Sequence, residues 1–416
     1  MILERALFRI EVFYRVGDSR ADVVLKKIAR LGLNVRKVYL TDNYLINVNI
    51  SEDNLKKIAN SLINPVTRAF QVNAPYFPPS FKYAVEIGFL PGVTDNVAHT
   101  VREIIGDSLK MNIDAEKSVF TSATYFIDGD ITEKDAGRIG LEFSNPLIQR
   151  MKIFSFDEYK ACGGMGRDLP VVTLHERQDV DEINLDVPEQ DLASLGKEGI
   201  PDKDGSRRGP LALDLPSLNT IKRYFQNEEK RNPRDIELES IAQTWSEHCK
   251  HTIFASALDE IKEGIYKRYI KNATEKIRKD KGSNDFCLSV FKDNSGGIEF
   301  DENWIISDKV ETHNSPSALD PFGGAITGIV GVNRDSIGFG MGARPVANRY
   351  GFCFANPFDE RPFYREKKPE SKLLSPRRIM DGVVRGVEVG GNCSGIPTPQ
   401  GFVYFYPLSS RQVITG

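Results

Sequence analysis

Residues 244–254 read TWSEHCKHTIF and place two of the chain's five histidines, His248 and His251, three positions apart with Glu247, Cys249 and Lys250 among them. Histidine and cysteine are common zinc ligands. An imidazole pair also suits proton transfer or phosphate contact, and it can equally form a solvated helix turn. A second group lies in DKVETHNSPSALDPFGGAITGIVGVNRDSIGFGMGARP, residues 308–345. On a strand, Lys309, Glu311 and His313 alternate and share one face. A cation, a carboxylate and an imidazole together suit a nucleotide: lysine for phosphate oxygens, glutamate for magnesium, histidine for proton transfer. Arg334 and Asp335 add a second cation and a second hard-metal ligand. The glycines of GFGMG offer backbone N–H groups to an anion, though alone they read as a turn.

These residues need elements to hold them. The run from Trp304 to Val310 reads as a strand that delivers Lys309, Glu311 and His313 at its end. Pro233 suits the first turn of a helix, with Asp235, Glu237 and Glu239 near its positive end and Ile236, Ile241 and Trp245 on its apolar side. Continued far enough, that helix puts His248 and His251 on a common face.

The first 156 residues contain a repeat. RALFRIEVFYRV and FKYAVEIGFL read as strands, each leading into a helix. The helix faces are Val24, Ile28 and Leu31 in the first copy and Val97, Val101 and Ile104 in the second. Each copy continues with VRKVYLTDNYLINVNI or KSVFTSATYFIDG, then a short helix capped by Ser51 or Thr132, then a last strand opened by Asn-Pro at 64 and 145. The pattern predicts a duplicated β-α-β-β-α-β domain whose halves pair edge to edge, with His99 on its surface. From 157 to 232 the chain is rich in Gly, Pro and Asp and reads as a long linker, with GSRRG as a mobile loop. The third region is 233–416.

The 55 basic and 58 acidic residues leave a net charge of −3 and no basic footprint for nucleic acid. Cysteines 162, 249, 287, 353 and 393 form no CxxC pattern, as suits a reducing compartment. The N-terminus does not read as a signal peptide, and no apolar run reaches the length of a bilayer span. These features predict a soluble, cytoplasmic protein.

NPRDIELESIAQTWSEHCKHTIF, KVETHNSPSALDPFGGAITGIVGVNRD and GGNCSGIPTPQG together resemble the phosphoribosylformylglycinamidine synthase family of purine biosynthesis. The duplicated region, with PGVTD at 91–95, resembles that system's small accessory subunit. GPLALDLP resembles the linker of its long single-chain form. The resemblance implies an α+β or α/β chain ending in an aminoimidazole-ribonucleotide-synthetase-like N-terminal domain. It implies an ATP-dependent C–N ligase that converts formylglycinamide ribonucleotide to the amidine through an iminophosphate attacked by ammonia. It makes His248 the active-site histidine and His251 and Lys309 ATP contacts. Glu311 and Asp335 become magnesium ligands, and Thr312, His313, Asn314 and Ser315 contact substrate, with His313 the proton acceptor. Arg334 holds substrate phosphate.

Two departures stand out. Many relatives have a second histidine where this chain has Ser315, and a serine cannot relay a proton near neutral pH. The chain also ends at Gly416, where the family's first ATP-site domain ends, so its glutaminase is expected on a separate chain or a missing segment. Self-association through the nucleotide domain is expected too. The rival readings are another kinase or synthetase of the superfamily, a non-catalytic nucleotide-binding scaffold, and a zinc module at His248, Cys249 and His251.

Overall fold

A computed structural model of the chain describes residues 7–111, 113, 118–171, 180–202, 205–245, 252–359 and 373–406. It falls into two compact units, residues 1–172 with 288–416, and residues 173–287.

The repeats build the first part of unit one. Copy one runs β1 (Leu7–Tyr14), α1 (Ser19–Ala29), β2 (Asn34–Asn47), α2 (Glu52–Ser61) and β3 (Arg68–Val72). Copy two runs β4 (Tyr83–Phe89), α3 (Asn96–Leu109), β5 (Val119–Asp130), α4 (Glu133–Phe143) and β6 (Gln149–Ser155), followed by α5 (Phe156–Ala161). The order expected from sequence is realised with its two middle strands fused, so each copy reads β-α-β-α-β. The physical reason is the ladder: β2 is 14 residues long and pairs with β5 from Asn34 to Ile46, which leaves no break for a turn. Ser51 and Thr132 cap α2 and α4 as expected, accepting from Asn54 N and Asp135 N.

The six strands form one sheet in the order β3-β1-β2-β5-β4-β6. Asp42 of β2 lies opposite Ala123 of β5, which holds the same place in the second copy, so a pseudo-two-fold passes between them. Helices α1 to α4 cover one face, and Tyr159 of α5 packs on the other against Ala84 and Phe126. One core joins Ile10, Ile46 and Ile58 to Val101 and Ile105 of α3, and the other joins Val24 and Ile28 of α1 to Val85 and Ile127. Each core therefore takes a helix from the opposite copy, and neither copy buries its apolar surface alone. The buried face of α3 is Ala98, Val101 and Ile105; Val97, assigned to it from periodicity, is exposed because the stripe is rotated by one residue. His99 is on the surface, 3.6 Å from Glu103.

On the other face, buried Arg9 spans the two copies. Its guanidinium donates to Glu11 at 2.6 Å and to Glu86 at 2.9 Å. Ser122 Oγ donates to Glu86 and Asn43 Nδ2 to Thr124 Oγ1, so the buried polar layer is hydrogen-bonded internally.

Unit two holds α6 (Glu189–Glu198), α7 (Leu215–Tyr224), a π-helical turn at Phe225–Glu229 and α8 (Asp235–Thr244). Leu185, Leu192, Leu195, Leu211, Leu218 and Leu238 close a core of its own. Much of the stretch that reads as an aperiodic connection thus folds. Arg208 of GSRRG is a hub rather than a mobile loop residue: it pairs with Asp181 at 2.6 Å, Asp202 at 3.1 Å and Asp235 at 2.5 Å. These bonds explain how a Gly- and Asp-rich stretch is held. On α8, Leu238 is buried and Ile241 packs against it, whereas Ile236 and Trp245, assigned to the apolar side from sequence, are exposed. After α9 (Thr252–Ala255), a second π-helical turn at Tyr266–Lys271 runs into α10 (Asn272–Lys281), which buries nothing, as its charge density implies.

Unit one resumes with β7 (Cys287–Ser289), β8 (Gly296–Glu299) and β9 (Ile305–Asp308) in one sheet. Then come α11 (Asn314–Leu319), α12 (Pro321–Gly338), β10 (Arg349–Ala355), α13 (Pro376–Ser394) and β11 (Gln400–Tyr406), with β10 and β11 parallel. The Gly-rich segment after Pro321 is a helix: Pro321 sits in its first turn and the Asp320 side chain accepts from Gly323 N. Glycines at 382, 386 and 390 let α13 approach α12, where added Cβ atoms would meet Pro321, Phe322 and Ile329 at 3.1 Å or less.

Candidate active site

The strand expected to run to Val310 ends at Asp308, and the chain continues as a loop through 313. That loop lies along α12 in antiparallel sense. The Lys309 ammonium is 2.7 Å from Asp335 Oδ2 and 3.9 Å from Glu311 Oε2. A Cβ on Gly331 would stand 3.4 Å from Glu311 Oε1, and one on Gly328 would stand 3.2 Å from His313 Cβ. Residues 309, 311 and 313 therefore face positions 335, 331 and 328 of one helix face. Glycine at 328 makes room for the imidazole, while at 331 the Glu311 carboxylate stands at ordinary contact distance. The sharing of one side expected of a strand holds for this row, but helix α12 supplies the floor.

His313 caps α11, and its Nδ1 lies 3.5 Å from Ser317 Oγ, a loose contact across one helical turn. A cleft of about 1110 Å³ opens over this row, lined by Lys309, Glu311, Thr312, His313 and Asn314 together with residues of β10 and β11. Asn348 is buried at its rim and donates through its backbone N to Pro397 O at 2.8 Å; Arg349 pairs with Asp308 at 3.0 Å. Ser315 and Arg334 are exposed and do not line the cleft. His248, Cys249 and His251 lie outside the described residues.

The Lys309, Glu311 and Asp335 side chains are each about a quarter exposed, at 25, 29 and 23%. Lys309 and Glu311 line the cleft, where a ligand can reach them, whereas Asp335 lies behind the lining and meets it through Lys309. Among the described residues, no group of three or more His, Cys, Asp or Glu side chains is assembled for a metal ion. Two hard carboxylates side by side still fit a cation of the magnesium kind, which takes one or two protein carboxylates and completes its shell with phosphate oxygens and water. Lys309 already holds positive charge between them. Sequence reasoning missed Gly328, Gly331, Ser317 and Asn348. The i, i+3 spacing of the two glycines toward Asp335 carries the signal, but only once the segment is known to be helical.

Residues 203–251 match the formylglycinamide ribonucleotide amidotransferase linker domain, and residues 292–415 match the AIR synthase related protein, N-terminal domain. The chain is 37% identical over 196 residues to the phosphoribosylformylglycinamidine synthase subunit PurL of Picrophilus torridus, which covers 47% of this chain and 22% of that protein. The same-named subunit of Thermoplasma volcanium is 34% identical over 200 residues, covering 48% of this chain and 23% of its own length. That of Thermoplasma acidophilum is 35% identical over 203 residues, covering 49% and 23%. The chain thus spans under a quarter of the length of these relatives. Among the described residues, no helix is long and apolar enough to cross a membrane.

Proposed function

We propose, since this chain belongs to the phosphoribosylformylglycinamidine synthase family, that its cleft binds ATP beside formylglycinamide ribonucleotide and serves amidine formation in purine biosynthesis. The observation that supports this most directly is the seating of Lys309, Glu311 and His313 along one face of α12, opposite Asp335, Gly331 and Gly328.

The reaction requires such a row. ATP phosphorylates the amide oxygen to give an iminophosphate, and ammonia displaces phosphate at carbon. Charge develops on the transferring phosphoryl group, so fixed cations over it lower the barrier. Lys309 turns from Asp335 toward a phosphate oxygen, and Glu311 and Asp335 would hold magnesium, which would supply charge neutralisation for the phosphates. His313, at the cleft end of α11, accepts the proton released as ammonia adds. Thr312 and Asn314, which line the cleft, contact substrate around it; the substrate contacts that the resemblance gives to Ser315 and Arg334 lie outside the cleft lining. His248 and His251 serve as active-site histidine and ATP contact. Ammonia comes from a glutaminase acting with the chain, and the setting is the cytoplasm.

Calorimetry tests this reading. The chain takes up Mg-ATP, and Glu311→Ala weakens uptake at least tenfold; equal affinity for both would sink the assignment. With formylglycinamide ribonucleotide, ammonium supports amidine formation by this chain and glutamine alone does not.

The same domain self-associates. Phe402 and Tyr404 on one face of β11 are 68 and 53% exposed, and Val403 and Phe405 on the other are 54 and 45% exposed, so an apolar row stands on each side of a strand paired to β10. Such a row seldom stays in water, and a second copy supplies a matching surface about a two-fold axis. Light scattering at tens of micromolar gives a dimer that Phe402→Asp dissociates. A monomeric parent chain overturns this.

A further inference from the structure

Among the described residues, hydrogen bonds join the duplicated domain to the site-bearing elements at the end of α4. Arg378, in the first turn of α13, donates to Leu141 O at 2.6 Å and Ser144 O at 2.8 Å, carbonyls at the C-terminal end of α4. One residue on, buried Asn145 donates through Nδ2 to Leu319 O at 2.8 Å. Leu319 is the last residue of α11, and Asp320 after it opens α12.

The consequence follows from length. Helix α11 has six residues, too few to hold its own direction in water. His313 caps one end and Asn145 grips the other, so the grip on Leu319 sets where the imidazole points. Helix α13, steered by Arg378, packs on α12 through its glycines, and α12 is the floor under Lys309, Glu311 and His313. Both helices that frame the row are tied to the end of α4.

The repeat supplies an internal comparison. Asn64 and Asn145 open equivalent Asn-Pro turns, and each side-chain oxygen accepts from the backbone two residues on, Val66 N at 3.0 Å and Leu147 N at 3.2 Å. Asn64 is exposed, whereas Asn145 is buried against α11.

We propose that Asn145 and Arg378 are positioning residues for the active site, and that the second repeat works as the buttress that aims His313 and α12. The effect on nucleotide affinity rests on the reading of the cleft given above; the effect on His313 does not.

Asn145→Asp keeps the oxygen that caps the turn and replaces the donating nitrogen with a carboxylate oxygen that repels Leu319 O. Asn64→Asp makes the same change where no helix is gripped. Two quantities are read in the full chain: the His313 ring resonance, assigned by its loss in His313→Gln, and Mg-ATP affinity. Asn145→Asp shifts the resonance and weakens Mg-ATP by about three- to tenfold, the range of one lost hydrogen bond. Arg378→Lys, which cannot fork to two carbonyls, shifts the same resonance, and Asn64→Asp leaves both quantities unchanged. The proposal is overturned if Asn145→Asp and Arg378→Lys leave His313 where Asn64→Asp leaves it. Should Asn145→Asp fail to fold, Arg378→Lys decides alone. If the unsubstituted chain takes no Mg-ATP, the nucleotide reading falls, and the His313 resonance still decides this one.

Discussion

The Lys309 ammonium lies 2.7 Å from the Asp335 carboxylate, tying the loop that follows β9 to the last turns of α12. Both groups are partly exposed, so the pair contributes little to folding, about 0–1 kcal/mol. Lys309→Met therefore leaves the thermal midpoint nearly unchanged while Mg-ATP affinity falls at least tenfold. Calorimetry and a thermal melt on one sample check both halves. A large fall in midpoint would make the pair a structural clasp instead.

Two glycines of α12 respond oppositely to alanine. At Gly324 the new Cβ would stand 2.7 Å from the Ser317 backbone, which cannot give way, so Gly324→Ala destabilises by about 1–3 kcal/mol. At Gly331 the nearest atom is Glu311 Oε1 at 3.4 Å, an ordinary contact. Gly331→Ala then gains helix propensity, up to about 1 kcal/mol. Denaturant midpoints of the two variants decide.

Acid weakens unit two below about pH 4. Hydrogen bonds from Arg231, with help from the Arg234 backbone N–H, hold the Glu237 carboxyl down at about 2. Burial raises the Asp235 carboxyl, but bonds from Arg208 and from the Ile236 and Asp181 backbone amides prevail and leave it below its ordinary value. Groups with depressed folded values stabilise above their unfolded values, near about 4, and that stability drains as pH falls toward the folded ones. Trp245 at the end of α8 reports on this in a Trp304→Phe background. Its fluorescence transition moves to higher pH in Arg208→Leu; an unmoved transition would contradict the hub.

Arg9 holds Glu11 and Glu86 in a layer where all three side chains are under a tenth exposed. Arg9→Met strands two buried carboxylates and destabilises by about 3–5 kcal/mol. Adding Glu86→Gln restores part of that, as urea midpoints measure. No recovery would show that packing rather than charge is lost.

Much of the molecule was legible in its letters because local physics writes it there. The caps at Ser51 and Thr132, the paired Asn-Pro turns and the strand and helix alternation are short-range properties, and they appear where the pattern puts them. The alternation of Lys309, Glu311 and His313 was equally readable, since it depends only on neighbours in an extended chain. Periodicity failed by one residue on α3, where Val97 is exposed, because only packing against β5 fixes a helix's rotation.

The sequence by itself determined the repeat, its elements and the residue types of the site. Tertiary structure alone decided the rest. It made the Gly-rich run after Pro321 a helix, because glycines that look like breakers are notches once Ser317 presses on Gly324 and His313 on Gly328. It turned Arg208 from a loop cation into the partner of nearby Asp202 and of Asp181 and Asp235, each 27 positions away. It also gave Asn145 a duty its twin Asn64 lacks: the two turns are locally alike, and only one has Leu319 beside it.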